Sequence, residues 1–445
     1  MKRKPPNHSL PKAAVSKISE FRTMLNNSIQ ATCQIAPYCC KNPEKDFTRT
    51  RRLPFESVVK QVLTFQNKAL QNELFDFFEN QEMVPTKSAL IQQRHKIKTE
   101  TFDFLYHIFM DKVKLKQLFH GYSLYACDGS TINLPRNPMD HATSVSAKPE
   151  ARSYNQIHLN ALYDLTNKVF VNFTIDDGVH IREMNALYQM ASAIQNPEHS
   201  ILVADRGYGY YNTVAFLNSL HCHFVIRMKD INSISSPLHQ LKLPDVEFDR
   251  DIDVILTESQ KKQFRDDPHY LILSKQSGFN FFEDGFANLK FRVLRFLLPT
   301  GEHETLITDL GRDVFSSDAL KQVYYLRWGI ETSFRDLKYT LNLVFFHSRQ
   351  YDFIIQELIS RILMYNVYSL MIQCVPKISN PDLKYVYRAN FLASIGSLRD
   401  YVLSGNSVFL SRLLYNLHPF RPNRSVLRGN LHDTKPAKSF NYRAS

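Results

Sequence analysis

Three acidic residues far apart in the chain are the first candidates for chemistry. Asp128 follows the strand-like run YSLYAC and precedes Gly129-Ser130-Thr131; Asp205 follows ILVA and precedes Arg206-Gly207-Tyr208-Gly209. A carboxylate at a strand end reaches solvent or a metal, and the two glycines permit a tight turn and close approach of backbone to a ligand. Ligands in α/β sheets gather beyond the carboxyl ends of strands, so the two aspartates can converge although 77 residues separate them. An Asp after a strand also caps turns, so each one alone decides nothing.

The third acid lies on the segment YYLRWGIETSFRDLKYTL. At about 100° per residue, Tyr324, Arg327, Glu331 and Lys338 share one stripe about 60° wide, next to an apolar stripe of Leu326, Ile330, Phe334, Leu337 and Leu341. A helix docked by the apolar stripe holds Glu331 at the edge of the core, beside two cations and a phenol. That set suits a metal-bound phosphate: the acid takes the metal and the cations take neighbouring phosphate oxygens. Without the aspartates, the stripe also reads as an exposed face with an Arg327–Glu331 pair one turn apart.

These residues need a frame. Apolar residues recur at three and four from Leu53 to Phe119, which predicts a helical unit. Within it Ser88 is the expected N-cap of a helix whose polar face carries Gln92, Gln93, Arg94, Lys96 and Lys98, a face for DNA or for solvent. After Gly121 come strands, with a hairpin turn at Leu165-Thr166-Asn167, then helices near 182–194 and 211–220 alternating with the strands ILVA and HFVIRM, a mixed α/β core. From 229 to about 306 strands occur without helices. A long helix at about Asp318 to Leu341 and further helical segments follow. The chain divides into a basic arm at 1–52, a helical DNA-binding unit at 53–120, the core at 121–229 and 307–375, a β-rich insertion at 230–306, and a helical C-terminal region with a basic tail at 376–445.

The net charge of +12 lies in the ends: residues 1–52 sum to +8, residues 421–445 to +5, and the 368 between them to −1. Such termini fit a polyanion, because clustered Lys and Arg release counterions from phosphates. Membrane is the rival partner, but the apolar run at Ile362 to Val375 is too short to span and is broken by Asn366, Ser369 and Gln373. MKRKPPNHSL has two prolines and no apolar stretch after its basic start, so a cytoplasmic protein is expected. Cysteines 33, 39, 40, 127, 222 and 374 lack CxxC spacing and read as reduced thiols, and Cys33, Cys39 and Cys40 with His8 lack the spacing of structural zinc.

Other candidates carry plainer readings. Asp245, Glu247, Asp249, Asp251 and Asp253 share one face of a strand, as solvated or edge-protecting acids do. His180 and Glu183 sit at a helix start, where they cap and solvate; His158 reads as a core histidine; Trp328 reads as packed. Arg206, next to Asp205, reads equally as a phosphate contact or a salt-bridge partner.

In order, a strand-end Asp, then Asp-Arg-Gly-Tyr, then Tyr-x2-Arg-x3-Glu-x6-Lys resembles the bacterial insertion-sequence DDE transposases of the branch defined by the YREK signature. Tyr324, Arg327, Glu331 and Lys338 match that signature position for position, and 53–63, 88–97, 304–310 and 347–366 are also similar, so the likeness covers most of the chain. It implies an α/β fold: an RNase H-like mixed-sheet core with a β-strand-rich insertion, flanked by helical N- and C-terminal domains. It also implies that Asp128, Asp205 and Glu331 bind two divalent ions, Mg2+ with Mn2+ as substitute, and that Tyr324, Arg327, Lys338 and Arg206 contact DNA. The implied activity is cleavage at terminal inverted repeats and strand transfer into target DNA, cut-and-paste through a hairpin, by a homodimer at the bacterial nucleoid. Two other functions stay open on the sequence: a domesticated DNA-binding protein, and a metal-dependent nuclease without strand transfer.

Overall fold

The computed structural model describes residues 9–49, 51–79, 83–146, 152–273, 285–379 and 383–420. The first eight residues, including His8, and the basic tail from 421 lie outside them. Residues 12–34, which the charge count places in a basic arm, form a helix, α1 (Lys12–Gln34), with Ile18, Leu25 and Ile29 buried against its neighbours. Helices α2 (Ala36–Cys39), α3 (Phe55–Thr64), α4 (Leu70–Phe77), α5 (Lys87–Arg94) and α6 (Glu100–Lys112) complete the N-terminal unit.

Two details of this unit differ from the sequence reading. Thr86, not Ser88, caps α5: its own backbone is extended, as an N-cap requires, and its Oγ1 accepts from Ala89 N at 3.2 Å. Gln93 and Arg94 do not lie on a polar face but turn inward; Arg94 is 3% exposed and donates to Glu357 Oε1 at 2.9 Å and Gln356 Oε1 at 2.8 Å.

A ten-stranded sheet carries the middle of the chain, in the order β2-β3-β1-β5-β6-β10-β9-β7-β8 with β4 on the free side of β3. Its core is β1 (Ser123–Leu134), β3 (Tyr154–Asp164), β4 (Val169–Asp177), β5 (Ser200–Ala204) and β6 (His223–Met228), with β2 (Ser144–Val145) a short addition. β1, β3 and β4 are antiparallel and β5 and β6 run parallel to β1, which is the RNase H-like arrangement. Strands buried on both faces need apolar residues at every position. In β5, Ile201 and Val203 face a core shared with α12 (Tyr351–Gln373), while Leu202 and Ala204 face one shared with α7 (Glu183–Ser192) and α8 (Tyr211–Ser219).

The insertion continues the same sheet. β10 (His303–Thr308) pairs with β6, and β9 (Phe286–Leu297), β7 (Phe248–Thr257) and β8 (Tyr270–Ile272) follow outward, with α9 (Lys262–Arg265) between β7 and β8. Its acidic row is an ion-pair ladder. Asp249 takes Arg292 at 2.5 Å and Arg312 at 2.8 Å, Asp245 takes Arg295 at 2.8 Å, and Asp253 takes Lys290 at 3.2 Å.

The chain then enters α10 (Ser317–Leu326) and α11 (Trp328–Arg335), and after α12 come β11 (Val386–Ala389), α13 (Phe391–Ser404), α14 (Val408–Ser411) and β12 (Leu417–Phe420). α12 is apolar nearly all round and is the buried spine between the N-terminal helices and the sheet. Its Asn366 is paired with the sheet: it accepts from Phe170 N at 2.8 Å and donates to Phe170 O at 2.7 Å. No helix among the described residues is long and apolar enough to cross a membrane.

Candidate active site

The parallel register of β1 and β5 brings the two aspartates level. Ala126 pairs with Val203, so Asp128 and Asp205 each stand two residues past that pair on neighbouring strands. Both carboxylates are held by the backbone just after them: Asp128 Oδ1 accepts from Gly129 N at 2.9 Å, and Asp205 Oδ1 accepts from Gly207 N at 2.8 Å, capping the short turn Arg206–Tyr208.

Glu331 arrives from the other direction, on α11 packed against β1. The stripe drawn from helical periodicity is bent in the fold. The helix breaks at Arg327, which ends α10 and starts α11, and residues 336–340 widen into a π turn in which Leu341 N bonds Asp336 O. Ile330, Phe334, Leu337 and Leu341 are buried as the apolar stripe requires, but Leu326, just before the break, is exposed. Trp328, expected to be packed, is 41% exposed, with the Arg327 guanidinium over its ring at 5.0 Å.

Arg327 joins the acids. It is 4% exposed, donates from Nη2 to Glu331 Oε1 at 2.7 Å and holds Nη1 3.8 Å from Asp128 Oδ2. Lys338 Nζ donates to Thr131 O at 2.7 Å, tying the π turn to β1 three residues past Asp128, and burial draws its ammonium below the usual value. Tyr324 is buried behind Arg327, near Arg227 and Glu304, and burial raises its phenol. Arg206 is exposed, and among the described residues no carboxylate pairs with it. The structure thus gathers Asp128, Asp205, Glu331, Arg327 and Lys338, sets Tyr324 beneath them, and leaves Arg206 at the rim.

The electrostatics follow. Burial pushes the Asp128 carboxyl up to about 6; the Gly129 N–H and Arg327 oppose this, while the charges of Asp205 and Glu331 add to it. A cluster of hard oxygen donors that resists becoming fully anionic is a fit environment for a divalent cation, which removes that repulsion. The acids do not form a closed cage: among the described residues no three His, Cys, Asp or Glu side chains stand close enough to hold an ion, and Arg327 bridges Asp128 and Glu331 in its place.

Two residues given plain readings also border the site. His158 is 4% exposed, with Nε2 3.0 Å from Glu183 Oε1 and Nδ1 3.3 Å from Thr131 Oγ1. A Cβ at Gly129 would stand 2.2 Å from His158 Nε2 and 2.9 Å from Glu183 Oε1, so only glycine leaves room for this pair beside Asp128. The residue contact depends on the β1–β3 register, which places Thr131 opposite His158 and is invisible in local periodicity. His180 instead bonds Asp177 at the surface, at 3.2 Å.

The family model described as the transposase DDE domain matches residues 119–367, more than half of the chain and all three acids. No curated protein matches. Among solved structures, the chain is similar to the piggyBac transposase in a synaptic complex with hairpin DNA, seen by cryo-EM, with a TM-score of 0.43 and 10% identity over 89% of this chain and 79% of that one.

Proposed function

We propose, for a chain that belongs to the transposase DDE-domain family, that Asp128, Asp205 and Glu331 are the acids of a metal-dependent DNA strand-cleavage and strand-transfer site. The observation that supports this most is that Asp128 on β1 and Asp205 just past β5 stand level on neighbouring strands, while the buried Arg327 ties Glu331 to Asp128. We place the chain in the YREK branch of bacterial insertion-sequence enzymes, on Tyr324, Arg327, Glu331 and Lys338. Its substrates are the terminal inverted repeats of its element and a target DNA, cut and pasted through a hairpin by a homodimer that works at the nucleoid.

The three carboxylates would hold two divalent ions, Mg2+ or in its place Mn2+, which supply a nucleophile at neutral pH and stabilise the leaving 3′-oxygen. The protein's own share is orientation and charge. Gly129 N and Gly207 N hold the aspartates in fixed rotamers before substrate arrives, so little reorganisation remains. Arg327 keeps Glu331 facing Asp128, and its planar fork suits a phosphate as well as a carboxylate. Lys338, whose ammonium burial holds below its usual value, is stabilised in its charged form when a phosphate comes beside it. Tyr324 underlies the guanidinium and holds it in plane, 5.7 Å from ring centre to Arg327 Cζ.

The test is a linear duplex ending in the inverted repeats that flank the gene. Wild-type protein nicks at the repeat terminus with Mg2+ and not in EDTA. A protein that binds this end but never cuts it is a domesticated binder, and one that cuts but never joins the end to a second duplex is a nuclease only.

A further inference from the structure

Away from the acids, a second group of cations has no carboxylate partner among the described residues. The small sheet of β11 and β12 pairs Arg388 with His418, and the bridge between Ile378 and Tyr387 sets Lys377 one step along, beside Arg388. Neighbouring strands are about 5 Å apart, so Lys377, Arg388 and His418 make a row across three chain segments. Like charges set opposite one another destabilise a sheet unless something outside it neutralises them. Lys168, exposed at the β3–β4 turn, stands near this row: partial desolvation, then the Arg388 and Lys377 charges, lower its ammonium.

Among the described residues no carboxylate stands within ion-pair distance of the exposed Lys168 and Lys377 or of the half-buried Arg388, whereas the buried Arg94, Arg292, Arg295 and Arg361 each have one. Arg388 lies flat on the Phe420 ring, its Cζ 3.3 Å from the centroid, and its Nε is buried with no hydrogen-bond partner. The cation is therefore held by an aromatic platform, as in phosphate-binding surfaces where the guanidinium edge stays free for an anion. Directly after Phe420 the sequence continues with six basic residues and one acidic to its last residue.

We infer that Lys168, Lys377 and Arg388, with His418 alongside, form a strip that grips the phosphate backbone of duplex DNA outside the catalytic site. The strip lies toward the beginning of β1, where Leu165 N bonds Leu124 O, about 13 Å of strand from Asp128. A duplex reaching from the acids to the strip meets cations at both ends. This rests on the proposed action on DNA, and it predicts contacts that add affinity without sequence preference.

The test uses the full chain and a linear duplex titrated between 50 and 200 mM salt. Each phosphate contact adds about 0.9 to the slope of log affinity against log salt, so K168Q/K377Q/R388Q should bind with a slope shallower by roughly 2 to 3. Because Arg388 packs on Phe420, the double variant K168Q/K377Q, which removes no packed ring contact, should give a slope shallower by roughly 1 to 2 at an unchanged melting temperature. Cleavage at saturating DNA should match wild type in both. Wild-type affinity and slope in both variants would overturn the strip, and so would a loss confined to vesicles of anionic phosphatidylserine with DNA binding intact. Failure of the wild type to bind duplex DNA at all would instead sink the proposed action on DNA.

Discussion

Arg327 donates to Glu331 at 2.7 Å and, with its other terminal nitrogen, stands 3.8 Å from Asp128. One buried guanidinium thus connects the acid of the helix to the acid of the first strand. This contact makes the site a unit before any substrate arrives, and it exposes the account to test.

Removing that guanidinium should free Glu331 and leave Asp128 and Glu331 without the cation that links them. Arg327→Ala is expected to lower the cleavage rate by about 100-fold, the scale of losing one oriented charge at a reacting centre. Arg327→Lys should recover only part of it, because an ammonium cannot span both acids as the planar fork does. Single-turnover cleavage of saturating end DNA is the measurement, and equal rates for the lysine variant and wild type would contradict the bridging role.

Asp128 makes a signed prediction about stability. Its carboxyl is raised to about 6 in the fold from an ordinary 3.8, so the native chain binds its proton more tightly than the unfolded chain does. The resulting stabilisation is fully present below the unfolded value and is lost as pH rises through about 6, which leaves a cost on the order of 3 kcal/mol at pH 8 without metal. Asp128→Asn should therefore melt at a higher temperature than wild type at pH 8 in EDTA, with the gap closing toward pH 4. A gap that does not change with pH would show that the burial of Asp128 has been misjudged.

Gly129 separates the first acid from the His158–Glu183 pair. Gly129→Ala places a methyl 2.2 Å from His158 Nε2, so the β1–β3 contact must shift beside Asp128. Cleavage should fall at least about 10-fold with the fold retained, since displacements of about 1 Å at reacting groups cost that much or more. Adding His158→Ala to that variant should restore part of the rate, and a double variant no better than the single one would argue against the steric cause.

Much of this arrangement is legible in the chain, for physical reasons that differ by residue. Asp205 stands where an apolar strand stops and Glu331 on the one polar stripe of its helix, and those signals are local; Asp128, expected at a strand end, lies inside β1, which pairs with β3 as far as Leu134 and so continues past the apolar run. Arg94 misleads because its partner Glu357 lies 263 residues away, and nothing near it marks it for burial. Trp328 is exposed because the helix breaks one residue earlier, a feature of tertiary docking that uniform 100° steps cannot contain. The role of Gly129 needs strand register, and the helix inside the basic arm is hidden by charges that sit on its outer face.

The N-terminal helices are locked to α12 by a buried network. Glu357 takes Arg94 at 2.9 Å and His347 at 3.1 Å, with Arg361 at 3.6 Å, and Arg94, His347 and Arg361 together hold the Glu357 carboxyl far below its usual range despite full burial. Glu357→Ala strands the buried Arg94 and Arg361 and should cost about 3 to 5 kcal/mol in denaturant unfolding. Glu56→Ala, which breaks the half-exposed Lys60–Glu56 pair at 2.6 Å, should cost less than about 1 kcal/mol. Similar costs for the two would show that the network does not bear on stability.

The central claim is that Asp128, Asp205 and Glu331 act together as one catalytic site. Its most direct test is Mg2+-dependent nicking of inverted-repeat DNA by Asp128→Ala, Asp205→Ala and Glu331→Ala, each at saturating DNA with binding measured in parallel. The expected result is loss of at least about 1000-fold in every variant, with affinity for the DNA end within a few-fold of wild type, because groups acting as a unit fail together. Cleavage within 10-fold of wild type in any one of the three would contradict the claim.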